Sequence, residues 1–215
     1  MPSECRAIPP DFFGSQNAAP TVRAATLYFS LLALQLVLAF TMPGIQQQGL
    51  PVSSLGGKTL TYNCNALASF YATMVIVATA HFTGVFRLSE IVGLYGPLLT
   101  IANMTGFALA GVVFTLGNGF TAGGGYRMSG NFIYDYFMGA TLNPRIGSVD
   151  IKMWAEIRIS WVLLWMLALG GVAKQYEDYG YVSPNIILFA YGTGLYLNAC
   201  AKVRLVTSSF RPELI

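Results

Sequence analysis

The sequence predicts an all-α protein, a polytopic bundle of about five membrane-spanning helices. Three observations predict it. Charged residues make up only 10% of the 215 and apolar residues 54%, against about 25% charge in an ordinary soluble domain. Mean hydropathy is +0.56. The apolar residues gather in five runs close to the roughly 20 residues a helix needs to cross the hydrocarbon core. Only helices or closed barrels satisfy their backbone there, and these run lengths are helical.

Residues 1–23 hold Glu4, Asp11 and four prolines and show no apolar run before residue 24. They are therefore no secretory signal, and the first span acts as its own insertion signal. That span, 24–42, has Gln35 as its one strongly polar interruption. The second, 66–86, follows Tyr62, Asn63 and Asn65, whose amides cap a helix start or line a pocket. His81 near its far end reads as a satisfied interfacial imidazole. The third, 91–116, is interrupted by Gly93, Gly96, Pro97 and Gly106. A glycosylation sequon at Asn103-Met104-Thr105 falls inside it and is expected to be inert. The fourth, 157–173, is short and dense, with Trp161 and Trp165 one turn apart. The fifth, 185–201, contains Gly192 and Gly194 and is bounded by Pro184 and Lys202. No internal repeat stands out, so 24–202 reads as one membrane domain, flanked by the 1–23 segment and the 203–215 tail.

Connector charge suggests the orientation. Arg6, Arg23, Arg87 and Lys174 fall on one side. Lys58, Arg127, Arg145, Lys152, Lys202, Arg204 and Arg211 fall on the other, richer side, which is expected to face the cytosol. The net charge of +3 comes without a Lys/Arg run, which gives nucleic-acid binding no support. The three cysteines, Cys5, Cys64 and Cys200, are dispersed and odd in number, and there is one histidine. Neither a disulfide framework nor a zinc site is expected. Gly123-Gly124-Gly125 follows no strand and lacks the residues of a phosphate loop, and no dinucleotide fingerprint of the Rossmann type occurs.

The candidate chemistry lies in the connector before the fourth span. Asp135 and Arg145 can pair with each other near the membrane surface, or grip a polar cofactor group. Asn143-Pro144-Arg145 reads as a turn or a helix start, because proline holds Asn143 extended. Lys152 and Glu156 are four residues apart and are expected to pair on one helix face. Glu156 at the edge of a dry cavity is also a candidate proton donor. Arg158 adds positive charge at the mouth of the fourth span.

The stretch GNFIYDYFMGATLNPRIG (130–147) also resembles the signature of the sterol reductase family. That family comprises C-14, C-7 and C-24(28) sterol reductases and the membrane domain of the lamin B receptor. Gly130, Ile133, Tyr134, Asp135, Phe137, Gly139, Leu142, Asn143, Pro144 and Arg145 fill its ten specified positions in sixteen residues. LPVSSLGGKTLTYNCNALASFYAT (50–73), HFTGVF (81–86), KMWAEIRISW (152–161) and KQYEDYGYVSPN (174–185) are similar to further pieces of the same family. The YNCNA and EIRxxW elements look most like the fungal C-24(28) branch, with Ser160 standing where that branch has proline.

The resemblance implies a multi-span endoplasmic reticulum enzyme. It implies reduction of a sterol side-chain double bond with NADPH in ergosterol biosynthesis: an acid protonates the alkene and the nicotinamide delivers hydride. It places Asp135, Tyr134 and Glu156 among the catalytic candidates and Asn143 and Arg145 among the cofactor-binding ones. The implied partners are the sterol, the bilayer and other sterol-biosynthesis enzymes. The family's second signature, His-Arg and Arg-Asp followed by Cys and Lys-Tyr-Gly, is associated with most of the NADPH site and does not occur in the 215 residues. The expectation is therefore an N-terminal and central fragment, with VRLVTSSFRPELI (203–215) a divergent tail. A non-catalytic sterol-binding or assembly protein is the alternative. An unrelated transporter finds no support, since neither membrane-embedded charges nor an inverted repeat is evident.

Overall fold

The computed structural model describes residues 18–52, 56–115, 129–139 and 143–206. The 123–125 glycines, Leu142 of the signature and the residues 1–17 and 207–215 lie outside that description. Each of the five expected apolar stretches is largely helical, the second ending at Phe82 and the third broken at Leu94, but five spans are not shown. α1 is Val22–Thr41, α2 Ala66–Phe82, α3 Ser89–Gly93 and α4 Tyr95–Thr115. After α5, Phe132–Met138, a continuous helical rod runs through α6 (Ile151–Met153), a π-helical segment (Trp154–Trp161) and α7 (Val162–Tyr179); α8 is Pro184–Val206. Val22–Thr41, Tyr95–Thr115 and Ile151–Tyr179 are long and apolar enough to cross a membrane, whereas Ala66–Phe82 is apolar but shorter.

The bundle is not purely α. The connector after α1 folds into a hairpin of β1 (Ile45–Val52) and β2 (Lys58–Cys64), paired antiparallel with Ile45 opposite Cys64 and Gln47 opposite Tyr62. Apolar run length cannot see such a strand, because its polar residues alternate with half-buried ones. Tyr62 and Asn63, expected at a helix start, therefore lie on a strand. A second hairpin joins β3 (Arg145–Ile146) to β4 (Val149–Asp150). Asn143-Pro144-Arg145 thus opens a strand and not a helix. The helix begins at Asp150, whose Oδ1 accepts from Met153 N at 3.1 Å.

α1 starts where Thr21 Oγ1 accepts from Ala24 N at 3.2 Å, an N-cap of ordinary type. Its buried residues Ala24, Tyr28, Leu31, Gln35 and Leu38 step by four and three, one stripe along the helix. That stripe meets α2 through Phe70 and Val77 and the rod through Val162, Trp165 and Met166. Trp165 packs edge-on against Phe70 at 5.3 Å between centroids. Lower on α1, Tyr28 meets Ile101 of α4. The rod and α3 approach closely at Gly170, where a Cβ would lie 2.7 Å from Leu88 O. His81 accepts from Leu88 N through Nδ1 at 3.3 Å, so the imidazole is a satisfied, half-buried group at the α2–α3 turn.

Candidate functional site

Two polar assemblies are built around the end of β2, one on Asn65 just after it and one on Tyr62 within it. The first begins with Asn65, the residue before α2. It makes no side-chain cap on its own helix. Its Nδ2 instead donates to Ala39 O and Met42 O, both at 2.9 Å, satisfying carbonyls that the end of α1 leaves open. Its Oδ1 accepts from Arg158 Nη2, and Arg158 Nη1 donates to Ser69 Oγ at 2.7 Å. One turn further along α2, Thr73 Oγ1 accepts from Gln35 Nε2 at 2.8 Å. Gln35, Asn65, Ser69 and Thr73 are each at most 2% exposed. The YNCNA and EIR stretches, nearly a hundred residues apart in sequence, are therefore joined by Arg158. Sequence reasoning placed Arg158 at the span mouth as a topology charge and missed this role. The signal was available in the hydroxyl and amide residues repeating along an otherwise apolar α2.

The second assembly is built on the β3–β4 hairpin. The Arg145 guanidinium lies over the Tyr62 ring, 4.3 Å from its centroid. Asn143 Nδ2 donates to Asp150 Oδ2 at 3.1 Å and to Tyr62 Oη at 3.4 Å, which ties the hairpin to β2. Arg145 Nε and Nη2 are buried and have no hydrogen-bond partner among the described residues. Asp150 is opposite Arg145 in the hairpin register, but its oxygens serve Met153 N and Asn143 Nδ2. A cavity of about 60 Å³ lies between the two assemblies, with Tyr62, Asn63, Asn65, Asp150, Trp154 and Arg158 in its wall. It has room for about two waters. Asn63 Oδ1 and Trp154 Nε1, an acceptor and a donor, are buried without a hydrogen-bond partner among the described residues. A hydroxyl, a water or a carboxamide satisfies both kinds of atom at once.

The other expected site residues are placed differently. Asp135 and Arg145 do not pair. Asp135 is 3% exposed and accepts from Ser129 N and Ser129 Oγ at 2.8 Å and from Gly130 N at 3.0 Å. It holds the loop that leads into α5. Tyr134, in the first turn of α5, is 42% exposed. Glu156 is exposed on the π-helical segment. Its expected ion pair with Lys152 is replaced: Lys152 Nζ donates to Met138 O at 2.5 Å. The widened π turn offers the reason, since residues four apart no longer stack as they do in an α-helix. Asn143 and Arg145 are thus brought together, while Asp135, Tyr134 and Glu156 are not gathered with them.

Comparison with known proteins agrees with the sequence resemblance. Residues 6–207 match the "Ergosterol biosynthesis ERG4/ERG24 family". A Delta(24(24(1)))-sterol reductase of Aspergillus fumigatus is 39% identical over 187 residues, covering 86% of this chain and 39% of that protein. One from Gibberella zeae is 40% identical over 187 residues, covering 86% of this chain and 31% of its own length. A Delta(14)-sterol reductase of Dictyostelium discoideum is 37% identical over 174 residues, 80% of this chain and 36% of that one. The chain thus spans between 31% and 39% of the length of these relatives. The chain belongs to the ERG4/ERG24 family of sterol reductases.

Proposed function

We propose that this chain serves the NADPH-dependent reduction of a sterol side-chain double bond, C-24(28), in ergosterol biosynthesis, as a multi-pass protein of the endoplasmic reticulum membrane. The observation that carries the reading is the likeness to two fungal Delta(24(24(1)))-sterol reductases over 86% of the chain. Saturating the bond takes a proton on one alkene carbon and a hydride on the other.

Part of the chain fits such a cofactor. Arg145 offers two buried donors without a hydrogen-bond partner among the described residues, which suits an anionic or carbonyl oxygen. When bound, NADPH supplies the hydride. The residues of the chain do the rest. Arg145 binds and orients, and Tyr62 beneath it keeps the guanidinium plane in place. Asn143 holds Tyr62 and the hairpin in register. Asp135 fixes the loop and helix that carry Tyr134. Tyr134 and Glu156 are the groups from which we derive the proton. The apolar cavity of about 220 Å³ bounded by Tyr28, Leu31, Val77, Phe86, Leu163 and Met166 is the kind of space an apolar ligand occupies.

The test is the purified chain in nanodiscs with NADPH and a C-24(28)-unsaturated sterol. The expected result is loss of the side-chain alkene, read by mass spectrometry, in proportion to NADPH oxidised. A photo-crosslinkable sterol that labels the chain without turnover assigns it to sterol binding or assembly. Absence of both labelling and turnover sinks the proposal.

A further inference from the structure

We infer that α5 is a re-entrant helix, sunk beside α4 in the bilayer, with its outer face covered by lipid acyl chains. Its sequence, FIYDYFM, carries one charged residue, and that residue, Asp135, is the buried one. Phe132, Ile133 and Phe137 are each at least 60% exposed. A helix bathed in water turns such side chains inward and its carboxylate outward; α5 does the opposite. Ring contacts fix where it sits. Phe132 meets Phe114 at 5.7 Å between centroids, and Phe137 meets Phe107 at 5.8 Å. α5 therefore runs back along α4, antiparallel to it. Between these contacts the Tyr136 hydroxyl donates to Phe107 O at 2.8 Å, lying close over Gly111. α4 has 21 residues and the composition of a span. Its length of about 31 Å just fills a hydrocarbon core of about 30 Å. Phe107 precedes the last residue of α4, Thr115, by eight positions, on the order of 12 Å along the axis. The start of α5 is thus near the membrane boundary and its end well inside.

Two observations name lipid as what covers the face. The first is continuity. α4 exposes Leu99, Met104, Phe107 and Val112, as a spanning helix does toward acyl chains, and Phe107 carries that surface directly onto Phe137. A contiguous apolar patch of this kind is rare where a protein meets water. The second is the state of the helix ends. A short helix in a medium without water needs its end groups bonded by the protein. Asn131 Oδ1 accepts from Tyr134 N at 3.2 Å, and Asn131 O accepts from Asp135 N at 2.9 Å. At the other end Gly139 N donates to Asp135 O at 2.8 Å, and Lys152 Nζ donates to Met138 O. Polar groups at both ends of α5 are thus turned to the protein, which suits an outer face left to hydrocarbon. The inference does not rest on the proposed reduction and holds equally for a chain that only binds sterol.

The experiment places the wild-type chain in nanodiscs of phosphatidylcholine that carries a diazirine on one acyl chain. After irradiation, adducts are mapped by peptide mass spectrometry. Acyl adducts are expected on Phe132–Met138 at a yield like that of the exposed face of α4, and several times that of the β1–β2 hairpin. Adducts on α4 with none on α5 overturn the inference. Depth is read separately from spin labels on Phe132→Cys and Phe137→Cys in a cysteine-free background. Oxygen, which concentrates in the apolar layer, is expected to relax the label at 137 more than that at 132. A water-soluble nickel chelate is expected to do the reverse. Free access of the chelate to both labels overturns the inference by placing α5 in water. Protection of both from oxygen and chelate alike overturns it by assigning the face to a protein partner. Because the adducts are read on the unsubstituted chain, they decide the question if the cysteine variants fail to fold. Neither readout involves turnover, so a chain that reduces no sterol still answers it.

Discussion

Arg158 and Asp135 show how a charged side chain can be structural within a membrane domain. Arg158 serves Asn65 and Ser69 at once, and Asn65 in turn closes the end of α1. Hydrogen bonds to charged groups contribute about 1.5–3 kcal/mol each. Arg158→Ala is therefore expected to destabilise the chain by about 2–4 kcal/mol, measured by thermal or denaturant unfolding in detergent. Asn65→Ala and Arg158→Ala share partners, so their combined cost is expected to fall short of the sum, which a double-mutant cycle reads directly. Asp135→Asn leaves a group that accepts through one oxygen only and places an NH2 among backbone donors. It is expected to cost about 1–3 kcal/mol. Hydrogen exchange should speed up in the loop around Ser129 and in α5 and remain unchanged in α7. If exchange in α5 stayed as slow as in the parent, Asp135 would not be its anchor.

Helix seams carry the second level. Gln35 and Thr73 pair across α1 and α2 where both are essentially unexposed. Thr73→Val strands the Gln35 amide and is expected to cost about 1–3 kcal/mol. Gln35→Leu removes the donor instead, for about 0.6–1.7 kcal/mol, the range of membrane interhelical hydrogen bonds. The double replacement is expected to cost less than the two singles together, because no polar group is left alone. Gly170 and Gly171 give a contrast on one helix. A Cβ at Gly170 would press on Leu88 backbone, and one at Gly171 would meet only the tip of Ile186 at 2.7 Å. Backbone yields less than a side-chain end, so Gly170→Ala is expected to lose about 1–3 kcal/mol and Gly171→Ala distinctly less. Equal melting temperatures for the two variants would contradict the α3–α7 contact as the tighter one.

At the scale of the molecule, three helices among the described residues have the length and composition of spans, and connector charge suggests their orientation. We propose that the β1–β2 hairpin and the signature connector face the cytosol. In a cysteine-free background, Thr59→Cys, exposed on β2, is expected to react with a membrane-impermeant maleimide in intact microsomes. Reaction only after detergent would place the hairpin in the lumen and reverse the topology.

The membrane class, the rough positions of the long apolar helices and the sterol reductase family were legible in the sequence, because run length, charge scarcity and the 130–147 signature are local properties. The half-satisfied expectations were those that needed a neighbour. Sequence could name Asp135 and Arg145 as signature residues, but not that one is held by its own loop while the other lies over the Tyr62 ring. It could not see that Asn65 closes a different helix from the one it precedes, nor that a π turn separates Lys152 from Glu156. A side chain's partners depend on which surfaces the bundle brings within about 3 Å, and hydropathy along the chain carries no record of that distance. The apolar pattern alone determined that this chain enters a membrane; packing alone decided which of its few polar groups are spent on the fold.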